Sequence, residues 1–400
     1  MRGPQGAEGT SLSVAMVGTR GVPARYGGFE TAVEEVGRRL AERGHRVRVY
    51  CRGGDDPELR SYLGMELVTL PAVRRRSLET LSHTALSVGH LTARRTDVAF
   101  VFNAANAPLL PLLRARRIPV ATHVDGLEWK RAKWGGGGRR YYRAAEGLSV
   151  RWSDALIADA RGIADYYDAE FGASTTLLTY GAPLLVQPGS ELLEQFGVTP
   201  GGYHLVVARF EPENHVELAV EGYVRSDATL PLLVVGSAPY ADDYTQRVQA
   251  AAGTDPRVRL LGGVWDQAAL DQLYAHAATY VHGHSVGGTN PSLLRAIGAG
   301  APTVAYDVSF NREVLAESGR YFLSADDVAR QIEDAERDPA AAAERGAALQ
   351  ARAGDYDWDT VALGYEQLAF DLRARRVPGP QKGRRRATVE QAPEPIEVDA

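Results

Sequence analysis

Residues 11–31 read SLSVAMVGTRGVPARYGGFET, and this stretch decides the fold expected for the N-terminal half. A run rich in apolar residues predicts a β-strand, and the apolar spacing from Phe29 onward predicts an amphipathic helix. The loop between them holds four glycines and a proline. Its backbone N–H groups, with Arg20 and Arg25, suit an anionic ligand at a helix start, whereas a tight turn alone would also explain the glycines.

Strand-like and helix-like segments alternate along the chain, and the alternation restarts at YHLVVARF, residues 203–210. Such alternation predicts a parallel sheet with helices on both faces. The sequence therefore predicts two doubly wound, Rossmann-like α/β domains that face each other across a cleft. The expected divisions are a flexible N-terminus (1–10), a first domain (11–185), a linker (186–200), a second domain (201–355), a C-terminal helix (356–376) and a disordered tail (377–400).

The composition narrows the class of protein. The chain has 400 residues, a net charge of −5 and one cysteine, Cys51, so an internal disulfide and a cysteine-based zinc site are excluded. Residues 1–190 carry net positive charge and residues 191–400 net negative charge. No nucleic-acid module accompanies the basic half, so an anionic membrane surface or a phosphorylated acceptor is the expected partner. With no signal peptide or spanning segment, we expect a cytoplasmic protein that can contact the inner face of the cell membrane.

The second half contains a loop of the same kind as the first. In HGHSVGGTNPSLLRA, residues 282–296, two histidines end a strand and a glycine pair precedes Thr289, Asn290 and Pro291. Asn290 or Thr289 suits a helix N-cap and Pro291 suits the first turn. The bare N-terminus of that helix would direct its dipole at an anion. No third metal ligand is evident, so the histidines are expected to form hydrogen bonds.

A dinucleotide-binding site is a weaker hypothesis for the first loop. Gly18 and Gly21 do not have the G-x-G-x-x-G spacing, and the second strand ends at Arg52 without the acidic residue that binds an NAD ribose. Arg209, which follows the first strand of the second domain, is instead expected at the carboxyl edge of that sheet, where ligands bind.

Four motifs together resemble a retaining glycosyltransferase of family 4 with the GT-B fold. They are residues 18–31, VDGLEWKRAKW (124–134), ARFEPEN (208–214) and residues 282–296. The resemblance is greatest to the rhamnosyltransferase-like branch, whose N-terminal domain is of unknown function. It implies transfer of a sugar, rhamnose or a related hexose, from a nucleotide diphosphate donor to a saccharide or lipid-linked saccharide, in cell-surface polysaccharide synthesis. It also implies that neither a metal nor another cofactor is required.

The resemblance assigns roles to residues of this chain. The implied catalytic group comprises His123, Asp125 and Arg209. Donor binding is implied for Gly18, Arg20, Gly21, Asn214, His284, Gly287, Gly288, Thr289, Asn290 and Arg295. Acceptor binding is implied for Arg25, Tyr26, Glu30, Glu128, Trp129 and Lys130.

Three positions depart from the pattern of the wider family. Asn214 stands in place of a donor-binding lysine, and Gly287 and Arg295 stand in place of two glutamates near the donor sugar and ribose. These departures keep open the alternative of a non-catalytic GT-B homologue that acts as a binding partner. A nucleotide-sugar epimerase is a second alternative, because that class of enzyme shares the same architecture.

Overall fold

A computed structural model describes residues 11–24, 27–53, 59–73, 79–124, 126–131, 134–236 and 242–386. Its first sheet has eight strands in the order β3-β4-β2-β1-β5-β6-β7-β8, all parallel except β3 against β4. The strands are β1 Ser13–Val17, β2 Arg46–Arg52, β3 Ser61–Tyr62, β4 Met65–Leu70, β5 Val98–Phe102, β6 Val120–His123, β7 Ala155–Ala158 and β8 Thr176–Leu177. The helices around it are α1 Gly28–Glu42, α2 Glu79–Ala93, α3 Leu110–Ala115, α4 Gly136–Trp152 and α5 Arg161–Phe171.

The second sheet has six parallel strands in the order β11-β10-β9-β12-β13-β14. They are β9 His204–Val207, β10 Leu232–Val235, β11 Val258–Gly262, β12 Thr279–His282, β13 Thr303–Tyr306 and β14 Arg320–Phe322. The accompanying helices are α6 Val216–Arg225, α7 Asp242–Ala252, α8 Gln267–Ala275, α9 Pro291–Gly298, α10 Ser309–Leu315, α11 Ala325–Arg337, α12 Pro339–Ala353 and α13 Trp358–Arg373. The predicted pair of doubly wound α/β domains is confirmed.

Burial explains why the central strands are apolar along their whole length. All five residues of β5 (VAFVF) and all four of β10 (LLVV) are buried, because helices cover both faces of a parallel sheet. Five short 3₁₀ helices complete the described elements: Ala104–Leu109, Glu128–Lys130, Glu191–Phe196, Pro212–Asn214 and Ala316–Ser318. Within the described part of the chain, no helix has both the length and the apolar character needed to span a bilayer.

The last helix, α13, returns from the second domain to the first. The Trp358 ring packs on Gly181, where a Cβ atom would lie 2.3 Å from the indole. Tyr365 meets Phe100 of β5 edge to face, with ring centroids 5.2 Å apart. Because α13 begins beside the second domain and packs on the first, it connects the two domains a second time.

Residues 377–386, which the composition assigned to a disordered tail, instead lie on the first domain. The N–H of Gly379 donates to the carbonyl of Asp154 at 3.0 Å, and that of Gln381 to Val150 at 3.1 Å. Gly383 and Gly147 approach so closely that a Cβ on Gly383 would lie 1.9 Å from the Gly147 carbonyl oxygen. Backbone hydrogen bonds and glycine contacts therefore order a segment whose side chains are mostly polar, which composition cannot reveal.

One half-buried arginine anchors this segment. Arg385 pairs with Glu146 and Glu170, and its Nη1 donates to the Tyr166 hydroxyl at 3.0 Å. Its guanidinium also lies 4.9 Å from the centre of the Phe171 ring. The side chain of Glu146 is only 3% exposed, so this carboxylate depends on a nearby cation.

We predict that Arg385→Ala destabilises the first domain, because it leaves the Glu146 carboxylate buried without this cation. The expected loss is about 2 kcal/mol, between the values for exposed and fully buried pairs, or roughly 4–8 °C in Tm. Differential scanning calorimetry measures it. Arg384→Ala, at an exposed neighbouring position, is the control and should leave Tm unchanged. Equal Tm values for the two variants would contradict the anchoring role.

Candidate functional site: the cleft between the domains

A cleft of ≈ 1590 Å³ opens between the carboxyl edges of the two sheets and is lined by both domains. Arg20 lines it from the first domain, and Arg209 and Arg295 line it from the second. The first residues of α1 and α9 face each other there, since a Cβ on Gly28 would lie 3.1 Å from the Pro291 ring. Both helices direct the positive ends of their dipoles at one place, which favours an anion.

The loop after β1 is held in shape by two carboxylates of α1. Glu30 Oε1 accepts the N–H of Arg20 at 2.9 Å, and Glu34 accepts the N–H of Ala24 at 2.6 Å. Burial raises the pKa of Glu34. Glu30, predicted to bind the acceptor, does line the cleft, yet one of its oxygens already supports the loop. Arg25 and Tyr26 lie outside the described residues.

Close packing accounts for both Gly18 and Gly21. Their φ angles are +104° and +99°, a region that favours glycine. A Cβ on Gly21 would lie 2.4 Å from the Sγ of Cys51, and one on Gly18 would lie 2.3 Å from the Phe102 carbonyl oxygen. The glycines therefore satisfy a conformational requirement, and the positive charge that would attract an anion to this loop comes from Arg20. The Arg20 guanidinium lies 3.9 Å from Glu79.

His123 ends β6 and is buried beneath the cleft. Its ring stacks between Phe102 and Tyr180, with centroids 5.5 Å and 6.1 Å away, and Phe29 meets its edge. Burial lowers the pKa of His123 to about 3, so the imidazole is neutral. Among the described residues neither ring nitrogen has a hydrogen-bond partner. Its predicted companion Asp125 lies outside the described residues, and the catalytic assignment of both stays a prediction.

In the segment after β6, which was predicted to bind the acceptor, two cationic side chains lie close to the indole ring of Trp129. Lys130 Nζ lies 5.6 Å, and Arg143 Cζ of α4 lies 5.0 Å, from the centre of the Trp129 ring. Glu128, also assigned to the acceptor, is buried instead, with an oxygen 2.6 Å from Arg131 Nε. Glu128 therefore serves local structure. Trp129 and Lys130 are not among the described residues that line the cleft, and their acceptor role stays a prediction.

In the second domain Arg209 and Asn214 belong to one network. Arg209 lies 3.4 Å from Glu211, which is also 3.9 Å from Arg131 of the first domain. Asn214 Nδ2 donates to the Arg209 carbonyl at 2.8 Å, and Asn214 Oδ1 lies 2.8 Å from His284 Nδ1. Asn214 thus holds Arg209, which was predicted to be catalytic, and His284, which was predicted to bind the donor, in place.

The glycine-rich loop before α9 packs on the first domain. Thr289 Oγ1 donates to the Asp159 carbonyl at 2.8 Å, and a Cβ on Gly288 would lie 2.0 Å from Asp159 Oδ1. Asn290 caps α9 by accepting the Ser292 N–H at 2.9 Å. Gly288 and Thr289, predicted to bind donor, therefore bring the two domains into contact.

Arg295, one turn into α9, pairs with Asp271 of α8. Its side chain lines the cleft, where an anion would compete with that carboxylate. In the part of the chain that the structure describes, no cluster of three His, Cys, Asp or Glu side chains could hold a metal ion.

Comparisons with known proteins agree with this architecture. Residues 27–180 match the family model described as "Glycosyl transferase 4-like domain", and residues 202–338 match "Glycosyl transferases group 1". The chain belongs to the glycosyltransferases of the GT-B fold. Sucrose-phosphate synthase from Thermosynechococcus elongatus superposes with a TM-score of 0.77 at 20% identity, covering 91% of this chain and 100% of that one. HepE from Anabaena in complex with UDP-glucose superposes with a TM-score of 0.73 at 16% identity, covering 90% of this chain and 100% of that one.

Two curated glycosyltransferases match shorter regions. The GtfA subunit of the UDP-N-acetylglucosamine–peptide N-acetylglucosaminyltransferase of Streptococcus gordonii is 28% identical over 122 residues, 30% of this chain and 23% of that protein. O-antigen chain mannosyltransferase B of Escherichia coli is 26% identical over 132 residues, which are 32% of this chain and 34% of that protein. The chain thus matches only 23% and 34% of the length of these two relatives.

Sequence reasoning did not predict three contacts that position the residues around this cleft. Arg131 spans the domain boundary, Asp159 receives the loop before α9, and Asn311 donates to the carbonyls of His284 and Tyr306. The position of Asp159 directly after β7 could have marked it, because the carboxyl ends of parallel strands meet at the ligand edge. No pattern in the sequence marks the other two.

We predict that Gly288→Ala separates the domains, since the added methyl group would overlap the Asp159 carboxylate. The expected effects are a loss of about 1–3 kcal/mol of stability and a larger radius of gyration in small-angle X-ray scattering. Gly89→Ala is the matched control, because nothing lies within 4 Å of a Cβ there. An unchanged radius of gyration and Tm in Gly288→Ala would show that this contact does not hold the domains together.

Proposed function

We propose that this chain is a retaining glycosyltransferase that moves a hexose from a nucleoside diphosphate sugar to a saccharide or lipid-linked saccharide. The observation that carries the proposal is the cleft between the domains, where arginines and two helix N-termini converge. Such an arrangement neutralises a diphosphate without a metal ion. The relatives named above, which include a mannosyltransferase and complexes with UDP and UDP-glucose, support a nucleotide sugar as donor.

The resemblance to the rhamnosyltransferase-like branch favours a deoxythymidine diphosphate rhamnose-type donor and a role in cell-surface polysaccharide synthesis. A thermal-shift panel of UDP-glucose, GDP-mannose and dTDP-rhamnose, each beside its parent diphosphate, identifies the donor, because a ligand of the native state raises Tm. Stabilisation by NAD(P) and by no nucleoside diphosphate would contradict the proposal.

The charges of the cleft define the chemistry. As the bond to the anomeric carbon breaks, negative charge grows on the departing diphosphate and positive charge on the sugar. Arg209 and the N-terminus of α9 stabilise the departing anion, and this electrostatic contribution is the principal one. In the proposed front-face reaction, the diphosphate oxygen accepts the proton of the acceptor hydroxyl. In this proposal His123 remains neutral, and its part in the reaction is hydrogen bonding through its ring nitrogens.

The acceptor side of the proposal rests on Trp129, Lys130 and Arg143. Their indole and cationic groups suit a diphosphate-linked saccharide with an apolar carrier. Exposed Lys382 and Arg384 add positive charge on the same domain and favour peripheral attachment to an anionic membrane. Product analysis tests the two alternatives: an epimerase consumes no acceptor, and a non-catalytic homologue neither transfers nor hydrolyses donor.

We predict that Arg209→Ala weakens binding of the diphosphate identified in the panel by ~2 kcal/mol or more, about thirtyfold in Kd. Isothermal titration calorimetry measures Kd, and a radiolabelled-sugar assay measures transfer. Arg225→Ala, on an exposed face of the same domain, is the control and should keep the wild-type affinity. Wild-type affinity and turnover in Arg209→Ala would remove Arg209 from the proposed site.

A further inference from the structure

Helix α10 of the second domain packs into the first domain. Phe310, in its first turn, is buried, and Val308 packs beside the same apolar cluster. The two domains are so close here that a Cβ on Gly162 of α5 would lie 3.3 Å from Ser309 Oγ. Among the described residues, the other buried members of the cluster all belong to the first domain: Ala104, Val124, Val150, Leu156, Ala158, Ala160, Ile163, Tyr167, Phe171 and Ala173. The second domain therefore contributes an aromatic ring to the apolar core of the first, and separating the domains would expose it.

The same helix supplies the N-terminal cap of α5. That helix begins at Arg161 after Ala160, whose methyl side chain cannot accept a hydrogen bond. The two carboxylate oxygens of Glu313 accept the Arg161 N–H instead, at 3.0 Å and 3.3 Å. The carboxylate also lies at the positive end of the α5 dipole. A helix of one domain is thus capped by a side chain of the other.

The carboxyl group of Glu313 is partly withdrawn from water. Burial raises the pKa of Glu313, and the charge of Asp165 adds to this rise. The Arg161 N–H and the positive charges of Arg161 and Arg352 act in the opposite direction. Because burial penalises the charged form, a neutral amide at this position would still cap α5, provided that its oxygen reaches the same N–H.

Two further contacts connect α10 to the cleft. Asp159, whose carbonyl accepts the Thr289 hydroxyl, lies directly before Ala160 and the capped end of α5. On the other side, Asn311 of α10 donates from Nδ2 to the His284 carbonyl at 2.9 Å. Helix α10 therefore contacts both the loop before α9 and the segment of the first domain that receives this loop.

We propose that Phe310 and Glu313 are positioning residues, which dock the second domain on residues 159–161 and thereby bring the N-termini of α1 and α9 together around the ligand. The identity of that ligand, a nucleoside diphosphate, rests on the proposed function, whereas the docking itself does not. Binding and docking are linked reciprocally: if docking raises the affinity for the diphosphate, the diphosphate must stabilise docking.

Hydrogen–deuterium exchange at the start of α5 measures docking, because the Arg161 N–H loses its acceptor when the domains part. In the wild type we expect slower exchange in this segment with UDP, GDP or dTDP, whichever binds, than without it. Without ligand, Glu313→Ala should exchange about fivefold faster than the wild type, as expected for a lost cap. Glu313→Gln keeps an acceptor and should keep most of the protection. Glu317→Ala, at an exposed position on the same side of the domain, is the control.

Isothermal titration calorimetry with the same three diphosphates measures the effect on the site. We expect Phe310→Ala to weaken the best-binding diphosphate about threefold, because the dipole of α1 no longer reaches it. A stoichiometry of one per chain shows that the second domain of the variant is folded. Leu323→Ala removes an exposed apolar side chain from the same domain and should keep the wild-type Kd. If Phe310→Ala does not fold, Glu313→Ala, which should weaken binding in the same direction, decides.

The docking role and the proposed function fail in different ways. Equal exchange at the start of α5 in Glu313→Ala and Glu317→Ala would overturn the cap between the domains. An unchanged diphosphate Kd in the folded Phe310→Ala and Glu313→Ala variants, or wild-type exchange that a bound diphosphate does not slow, would overturn the positioning role alone. A wild-type protein that binds none of UDP, GDP and dTDP contradicts the proposed function, and exchange without ligand then still tests the docking.

Discussion

The contact between the glycine-rich loop before α9 and the carboxyl edge of the first sheet is the constraint on which the site depends. Thr289 donates to the Asp159 carbonyl, and Gly288 allows the backbone to approach its side chain. This contact brings the N-termini of α1 and α9 together at Gly28 and Pro291. An anion in the cleft would then interact with the positive ends of both helix dipoles, whereas either domain alone supplies only one of them.

The electrostatics of the cleft depend on neutral histidines and shared carboxylates. His123 and His284 are both buried and held uncharged, so neither imidazole adds positive charge. Positive charge comes from arginines, and Glu211 lies between Arg131 of one domain and Arg209 of the other. A diphosphate carries more oxygens than this carboxylate and can form charge-assisted hydrogen bonds with both guanidinium groups.

The sequence predicted the two sheets because apolar strands and amphipathic helices alternate, and this pattern depends on local spacing. It also predicted an N-cap for α9 at Thr289 or Asn290, of which Asn290 is the cap, since capping chemistry is local. It missed the ion pair of Arg131 with Glu213 and the docking of residues 377–386, because both depend on contacts between distant parts of the chain. Composition indicates how much apolar surface a segment can bury, whereas residues 377–386 are held in place by backbone hydrogen bonds.

The most direct test of the central claim is a crystal structure of the protein with its nucleoside diphosphate donor. This account predicts phosphate density within hydrogen-bond distance of Arg209 and the N-terminus of α9, with the Gly288 loop still resting on Asp159. Density for the nucleotide elsewhere on the protein, with the cleft empty, would contradict it.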